Sequence, residues 1–480
     1  MNYSQFLNMI PEFYLVLILI VVFVVDFIMH KSAKKHDVLF AVTVALTAVL
    51  PVRIALMGEP TEAFGGIYVT SQIANVMKVI LTAGTVIVLI MSQAWLKTNN
   101  RYEGEYYMLI LSTLLGMYMM LSSGSFLMFF LGLEMASVPM ACLVAFDKKK
   151  KESAESAAKY VLMATFSSGV MLFGISFIYA ATGGLYFDDV AQVISASPLA
   201  IIGMVFFFSG LGFKISLVPF HFWTADTYQG APTPVTGYLS VVSKGAATLT
   251  LAIILVKVFG SMVAWWQPLL WIVIMLTITI GNLMAIRQTE LKRFMAFSSI
   301  SQAGYIMLAV IGANPAASQT ALTFYVLVYV VANMSVFSVI SAVEHRAGAG
   351  TQMSAYNGLY QTNPKLVFIM TIALFSLAGI PPFAGMFSKF FVFMAGVDGQ
   401  DGMPFWPYFV VFIALINTVV SLYYYLLIVK AMYIKKEDNP LPTFAHGRAI
   451  NASLTICTIG IVLFGVCSCI YQWIANAAGM

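Results

Sequence analysis

The chain has 480 residues, of which 60% are hydrophobic and 9% are charged, and its formal net charge is +5 at pH 7. This balance excludes a soluble globular protein of this size and predicts a chain embedded in a lipid bilayer. The positive charge indicates loops that face anionic lipid, and it gives no reason to expect a nucleic-acid partner.

Apolar runs long enough to cross a hydrocarbon core recur along the whole chain. We expect fourteen spans, at residues 10–29, 38–57, 70–95, 105–122, 125–146, 154–181, 199–220, 232–257, 267–286, 294–312, 317–344, 365–396, 406–434 and 450–475. The predicted fold class is therefore an all-α polytopic membrane protein with about 14 transmembrane helices. Residues 1–480 are expected to form a single membrane domain.

The basic residues predict how the spans are oriented. Of the 25 lysines and arginines, 18 lie in the connections that follow odd-numbered spans, whereas the other connections hold only Arg53 and Lys257. The 18 are Lys31, Lys34, Lys35, Lys97, Arg101, Lys148, Lys149, Lys150, Lys151, Arg287, Lys292, Arg293, Arg346, Lys365, Lys430, Lys435, Lys436 and Arg448. By the positive-inside rule we expect these connections to be cytoplasmic and both termini to lie on the outer face.

Two spans carry proline near a lysine. The seventh reads GLGFKISLVPFHFW, with Pro219 after Lys214, and the twelfth reads FSLAGIPPFAGMFSKFF, with two prolines before Lys389. Proline removes a backbone donor and clashes with the preceding turn, so both helices should be broken. Paired broken helices indicate inverted repeats. We expect two five-helix repeats, spans 4–8 (residues 105–257) and spans 9–13 (residues 267–434).

Five lysines lie inside the spans: Lys78, Lys159, Lys214, Lys244 and Lys389. The last three are near the middle of their spans, where an unpaired lysine costs about 2.5–3.5 kcal/mol on insertion scales. Lysine also loses its proton readily once it is desolvated. The pattern therefore predicts proton movement, and the alternative is that these ammonium groups snorkel to an interface.

A carboxylate accompanies the lysines in the fifth span. Glu134, in FFLGLEMASVPM, is expected to pair with Lys214, so that the protonation of one changes the proton affinity of the other. The alternative is a protonated glutamic acid hydrogen-bonded between helices. In the relay interpretation Lys244 accepts the proton of Lys214, and Lys389, after the second break, is the exit.

Three further positions are weaker relay candidates. Lys159 follows Glu155 by four residues, so an ion pair at the membrane edge explains it as well as a relay does. His221 could shuttle protons, although a structural hydrogen bond in the turn after the seventh span is the favoured interpretation. For Lys78 we expect snorkelling or a contact with another subunit.

No cofactor site is expected in this chain. The four cysteines lack CxxC spacing, which argues against iron–sulfur ligation and a disulfide framework. There is no Gly-rich phosphate loop, zinc-ligand spacing or nucleophile–base motif. We therefore expect no metal and no substrate chemistry here.

Four segments resemble the antiporter-like membrane subunits of respiratory complex I. They are GFKISLVPFHFWTADTYQGAPTPVTGYLSVVSKGAA, FLGLEMASVP, IGNLMAIRQTELKRFMAFSSISQAGY and SLAGIPPFAGMFSKF. The resemblance implies fourteen helices with broken seventh and twelfth helices. It also implies that Glu134, Lys214, Lys244 and Lys389 correspond to the family's fifth-helix glutamate and its seventh-, eighth- and twelfth-helix lysines.

The same resemblance implies a function and partners. The chain would be a proton-translocating subunit of a proton-pumping NADH:quinone oxidoreductase in a bacterial inner membrane, among other membrane subunits. NADH, FMN, iron–sulfur clusters and quinone would bind elsewhere in the complex. Two positions depart from the family pattern: Gln302 stands where many relatives carry histidine, which puts a titrating link there in doubt, and Ala225 replaces a frequent proline.

Two other functions stay open at this point. One is a subunit of a Mrp-type cation/proton antiporter, which has a similar fold and similar Glu and Lys positions. The other is a membrane scaffold that no longer pumps, which the retained ionisable positions disfavour. The electron donor, the quinone, the proton stoichiometry and the coupling trigger are not encoded in recognisable motifs of this chain.

Overall fold

A computed structural model describes residues 3–57, 59–99, 102–347, 350–399, 405–435, 441–445 and 447–480. Within them the chain is almost entirely helical. The α-helices are α1 (Ile10–Ile28), α2 (Lys35–Met57), α3 (Gln72–Asn99), α4 (Glu103–Leu121), α5 (Phe126–Val144), α6 (Lys151–Thr182), α7 (Phe187–Val193), α8 (Pro198–Ile215), α9 (Phe222–Gly230), α10 (Thr233–Tyr238), α11 (Lys244–Lys257), α12 (Val263–Ile286), α13 (Leu291–Leu308), α14 (Pro315–Ala347), α15 (Pro364–Ala378), α16 (Ala384–Val397), α17 (Phe405–Tyr433), α18 (Arg448–Val466) and α19 (Ser468–Ala478).

Short elements complete the described part of the chain. Within it, five 3₁₀ turns cover Tyr3–Met9, Gly260–Met262, Ala309–Ile311, Met353–Tyr356 and Leu359–Gln361. Strands β1 (Glu62–Ala63) and β2 (Tyr68–Val69) pair antiparallel, with Glu62 opposite Val69. The basic residues Arg101 and Lys436 and the side chain of Arg346 lie outside the described part of the chain.

The polytopic all-α fold is confirmed. Twelve helical segments in the described residues are long and apolar enough to cross a membrane. A count of fourteen would add α4 as one span and the two half-helices α15 and α16 together as another. None of these three helices meets the criterion by itself, so the count remains a prediction. The run 450–475 was expected to be one helix, but α18 ends at Val466 and α19 begins at Ser468. Cys467, which has extended backbone, separates them.

Both expected helix breaks are present. After Ile215 the chain turns at Ser216, which has φ +69°, and helix resumes at Phe222. After Ala378 it turns at Gly379, which has φ +88°, and helix resumes at Ala384. In each case the backbone carbonyls at the end of the first half-helix lose their intrahelical partners.

The eighth span contains a feature that the sequence pattern did not predict. Residues Leu239–Ser243 form a π-helical segment that joins α10 to α11. Lys244 is the first residue after it. Single-turn π segments inside α-helices often occur at functional sites.

The centre of the bundle is formed by α13 and α14, which are almost wholly buried. Helix α5 packs closely on α4: a Cβ at Gly116 would lie 2.4 Å from the Ala136 nitrogen, and a Cβ at Gly132 would lie 2.7 Å from the Met120 nitrogen. Small residues allow backbones to approach this closely in membrane bundles.

Candidate functional site

Lys214 lies in the last turn of α8, immediately before the first break, and is 3% exposed. Its Nζ donates to Ser137 Oγ at 2.9 Å and to Tyr160 Oη at 3.3 Å. The ammonium therefore contacts two hydroxyl groups, one from α5 and one from α6. Hydroxyls can both donate and accept, which suits groups that exchange protons.

Glu134 is one helical turn before Ser137 on α5. It interacts electrostatically with Lys214, but no salt bridge joins the two side chains in the described structure. One carboxylate oxygen of Glu134 is buried and has no hydrogen-bond partner among the described residues. The contact with Ser137 places Lys214 beside the part of α5 that carries Glu134, and direct pairing stays a prediction.

Lys244 is 1% exposed and points towards α13. Its Nζ donates to Ser299 Oγ at 2.7 Å and lies 5.7 Å from the ring centroid of Tyr228. The hydroxyls of Tyr228 and Ser299 are 3.3 Å apart. Asn333 of α14 donates to Ser240 in the π segment at 2.6 Å, so polar groups surround the start of α11 on two sides.

Lys389 lies on α16 after the second break and is 4% exposed. Its Nζ reaches back over the break and donates to the Ala378 carbonyl at 3.0 Å, one of the carbonyls that the end of α15 leaves free. The ring centroid of Tyr305 lies 4.8 Å from the ammonium. Gly379 is required here, because it has a positive φ and a Cβ on it would lie 3.1 Å from Lys389 Cδ.

Gln302 sits in a polar network between Lys244 and Lys389. Its amide donates to the Leu377 carbonyl and to Tyr425 Oη, each at 3.3 Å, and its carbonyl oxygen accepts from Tyr325. Gln302 and Lys389 line one cavity of about 10 Å³, roughly the room that one water needs. Gln302 follows Ser299 by one turn on α13, so that helix presents polar groups towards both lysines.

An ionic cluster lies beyond the first break. Lys159 contacts Glu155 at 2.8 Å, as the spacing predicted, and also contacts Asp226 of α9 at 2.9 Å. Asp226 accepts from Arg293 of α13 at 2.6 Å. Partial burial raises the pKa of Asp226, but the hydrogen bonds and charges of Lys159 and Arg293 outweigh this effect and leave the pKa below its ordinary value. Sequence analysis missed Asp226, whose partners are distant along the chain.

Comparisons with known proteins place this geometry in a family. Residues 123–430 match the family described as NADH:quinone oxidoreductase/Mrp antiporter, TM. A protein of Phocaeicola vulgatus named NADH-quinone oxidoreductase subunit N is 52% identical over 480 residues, which are 100% of each chain. This chain belongs to the subunit N family.

Solved structures agree with that assignment. A chain of respiratory complex I from Thermus thermophilus is 28% identical, covers 95% of this chain and 97% of its own length, and superposes with a TM-score of 0.77. A chain of the Mrp complex from Dietzia sp. reaches a TM-score of 0.85 at 20% identity, with coverage of 100% and 97%. At that identity the second likeness shows the shared fold alone.

For this subunit N family member, two further expectations can be compared with the structure. His221 is 8% exposed, immediately precedes α9, and stacks on Phe222 with ring centroids 4.6 Å apart. Its Nδ1 has no partner among the described residues, so neither a shuttle role nor a structural hydrogen bond is decided. Among those residues no group of three or more His, Cys, Asp or Glu side chains could hold a metal ion.

The expectation for Lys78 was wrong. Lys78 does not snorkel: it is 0% exposed, and its Nζ donates to Glu12 Oε1 of α1 at 2.6 Å. Tyr68 donates to the other oxygen of that carboxylate at 2.9 Å, and the rings of Tyr68 and Tyr118 lie 5.6 and 5.4 Å from the ammonium. Glu12 was not singled out from the sequence, because it lies 66 residues before Lys78 and no local pattern links the two.

Proposed function

We propose that this chain is a proton-translocating membrane subunit of a proton-pumping NADH:quinone oxidoreductase, and that Lys214, Lys244 and Lys389 carry protons across the middle of the bundle. The observation that carries the proposal is that all three buried ammonium groups donate to a polar group inside the bundle: the hydroxyls of Ser137 and Ser299 and the Ala378 carbonyl at a helix break. Ionisable groups placed in this way inside a membrane protein mark ion pathways.

The proposed order of transfer follows the helices. Lys214 and Tyr160 form the first group, and Tyr228, Ser299 and Lys244 form the second. Trp223 lies between the two groups. Its ring centroid is 5.2 Å from that of Tyr160 and 6.3 Å from that of Tyr228. No hydrogen bond described here crosses this step, so transfer requires a hydrated or rearranged state.

The step from Lys244 to Lys389 runs along α13. Ser299 and Gln302 are one turn apart, and the cavity shared by Gln302 and Lys389 has room for about one water. The Tyr329 hydroxyl, which belongs to the same cavity wall, is buried and has no partner in the described residues. A glutamine here can orient such a water without titrating, so the departure from histidine does not block the route.

Glu134 is the proposed acidic partner of Lys214. Glu155, Lys159 and His221 lie on the side of the first break where protons would enter, and they are secondary members of the route. Electrons do not pass through this chain in the proposal. NADH, FMN, iron–sulfur clusters and quinone bind to other subunits, and redox energy reaches the lysines as conformational or electrostatic coupling.

The proposal includes topology. Residues 105–257 and 267–434 are taken as inverted five-helix repeats, because their broken helices are five spans apart. The chain lies in a bacterial inner membrane with both termini on the periplasmic face, as the basic connections favour. Adjacent membrane subunits cover its exposed apolar faces together with lipid.

The test is the proton-to-electron ratio of the reconstituted complex carrying Lys214→Ala. We expect the share of pumping due to this subunit to be lost while the chain stays inserted and the complex stays assembled. Lys149→Gln, which changes an exposed lysine of a connection, is the matched control and should keep the parental ratio. A parental ratio in Lys214→Ala would overturn the relay, and co-purification with cation/proton antiporter subunits would replace complex I by the Mrp alternative.

A further inference from the structure

A cavity of about 440 Å³ lies at the basic end of α17. Its floor is made by two connections, one before α13 and one before α15. Two backbone hydrogen bonds join these connections. The Leu291 amide donates to the Thr351 carbonyl at 2.7 Å, and the Met353 amide donates to the Thr289 carbonyl at 2.8 Å. The cavity therefore has a defined floor and lies outside the lysine relay.

Polar groups line one side of this cavity. Lys430 and Lys435 are exposed, and no acidic side chain is among the described residues of the lining. Tyr356 also lines it, is 1% exposed, and its hydroxyl has no hydrogen-bond partner in the described part of the chain. A buried donor of this kind is available to an acceptor from outside the described residues. The site thus offers positive charge and a donor to a negatively charged group.

An apolar stripe on α17 runs up to the same place. Phe412, Ile416, Val419, Tyr423 and Leu427 recur every three or four residues and are 39–68% exposed. Residues at this spacing share one face of a helix. The stripe ends one turn before the first of the two lysines, so the helix presents an apolar track that leads to a basic cavity.

We propose that the cavity and the stripe bind one anionic phospholipid of the membrane. Its phosphate lies between Lys430 and Lys435, with Tyr356 as a further donor, and one acyl chain follows the apolar face of α17. A lipid fits better than a protein helix because basic residues next to spans attract anionic headgroups, and the cavity is of ligand size. The two lysines together are worth roughly 30-fold in affinity.

The test is native mass spectrometry of the purified complex, titrated with phosphatidylglycerol or phosphatidylcholine in detergent. We expect the parental complex to keep one more phosphatidylglycerol than a complex with Lys430→Gln and Lys435→Gln, and phosphatidylcholine to show no such difference. Tyr356→Phe, which removes only the hydroxyl, should weaken retention by a smaller factor. Lys149→Gln with Lys151→Gln, two exposed lysines of another connection, is the matched control and should retain the parental number.

Two results would overturn the proposal. Equal phosphatidylglycerol retention in the parental and Lys430→Gln/Lys435→Gln complexes would show that the lysines hold no lipid. A neighbouring subunit cross-linked to a cysteine placed at Leu427 would show that a protein occupies the stripe. The measurement reads lipid mass and not pumping, so its outcome is independent of the proposed proton relay.

Discussion

The buried pair of Lys78 and Glu12 predicts an unusual pattern of mutant stabilities. In Lys78→Met the Glu12 carboxylate stays buried and keeps, among the described residues, only the hydroxyls of Tyr68 at 2.9 Å and Ser122 at 3.5 Å as donors. In Glu12→Met the Lys78 ammonium stays buried without its carboxylate. Removing one member of a buried ion pair costs about 3–5 kcal/mol, so each single variant should lose stability of about that size.

The double variant should be far milder than the sum. With both charges gone, the remaining defect is mainly the Tyr68 hydroxyl without its acceptor, together with the weaker 3.5 Å contact of Ser122, and it costs about 1–3 kcal/mol. The coupling energy between Lys78 and Glu12 is therefore expected to be about 5–7 kcal/mol. The midpoint of thermal unfolding of the purified complex, with the abundance of the chain in membranes, measures all four forms.

Two results would refute this reasoning. Additive effects would mean that the two side chains do not share one desolvated site. Parental stability of Lys78→Met would mean that the ammonium reaches water, which is the snorkelling that the sequence suggested. Lys34→Met, at an exposed lysine outside the pair, is the control for the loss of one positive charge.

Three further predictions concern the candidate site. Glu134→Gln and Lys214→Met should be less damaging to assembly together than the two single effects summed, since in the predicted pair each single change leaves the other charge unpaired, and additivity in the cycle would assign Glu134 to packing. Gln302→Leu should lower the proton-to-electron ratio, whereas Gln302→His should keep it at the parental value. Equal ratios in both variants would remove Gln302 from the route. Asp226→Asn should lower the free energy of unfolding by about 0.5–1 kcal/mol. In the parental protein this stabilisation is present above about pH 4 and is lost as the pH falls further, because the pKa of Asp226 is lower in the folded state than in the unfolded state. Unfolding midpoints from pH 3 to 7 would show whether the two proteins converge in acid.

Much of the fold could be predicted because it depends on local signals. Long apolar runs and prolines are read along the chain, so the helices and the breaks after Ile215 and Ala378 were correctly expected. The buried lysines Lys214, Lys244 and Lys389 were singled out for the same reason, since an ionisable residue inside an apolar run stands out without knowledge of its neighbours. The split between α18 and α19 was missed because Cys467 is not a strong helix breaker.

The remaining features depend on contacts between distant segments. Lys78 and Glu12 are separated by 66 residues, and Asp226 meets Lys159 and Arg293 across 67 residues each. Nothing in a single sequence specifies these distances. The π segment before Lys244 was missed because its residues, LSVVS, have no composition that distinguishes them from an α-helix.

The two broken helices place a buried lysine ammonium near the C-terminal end of a half-helix, although the order of lysine and break along the sequence differs. Lys214 precedes its break, whereas Lys389 follows its break by several residues, so the sequences look unrelated. In the structure both ammonium groups are associated with the C-terminal end of the first half-helix: Lys214 lies in the last turn of α8, and Lys389 reaches back to the Ala378 carbonyl at the end of α15. The helix dipole makes that end negative, which stabilises a cation in a medium of low dielectric constant. The break therefore lowers the cost of a buried lysine, and at the second break it also supplies a carbonyl that accepts a hydrogen bond from Lys389.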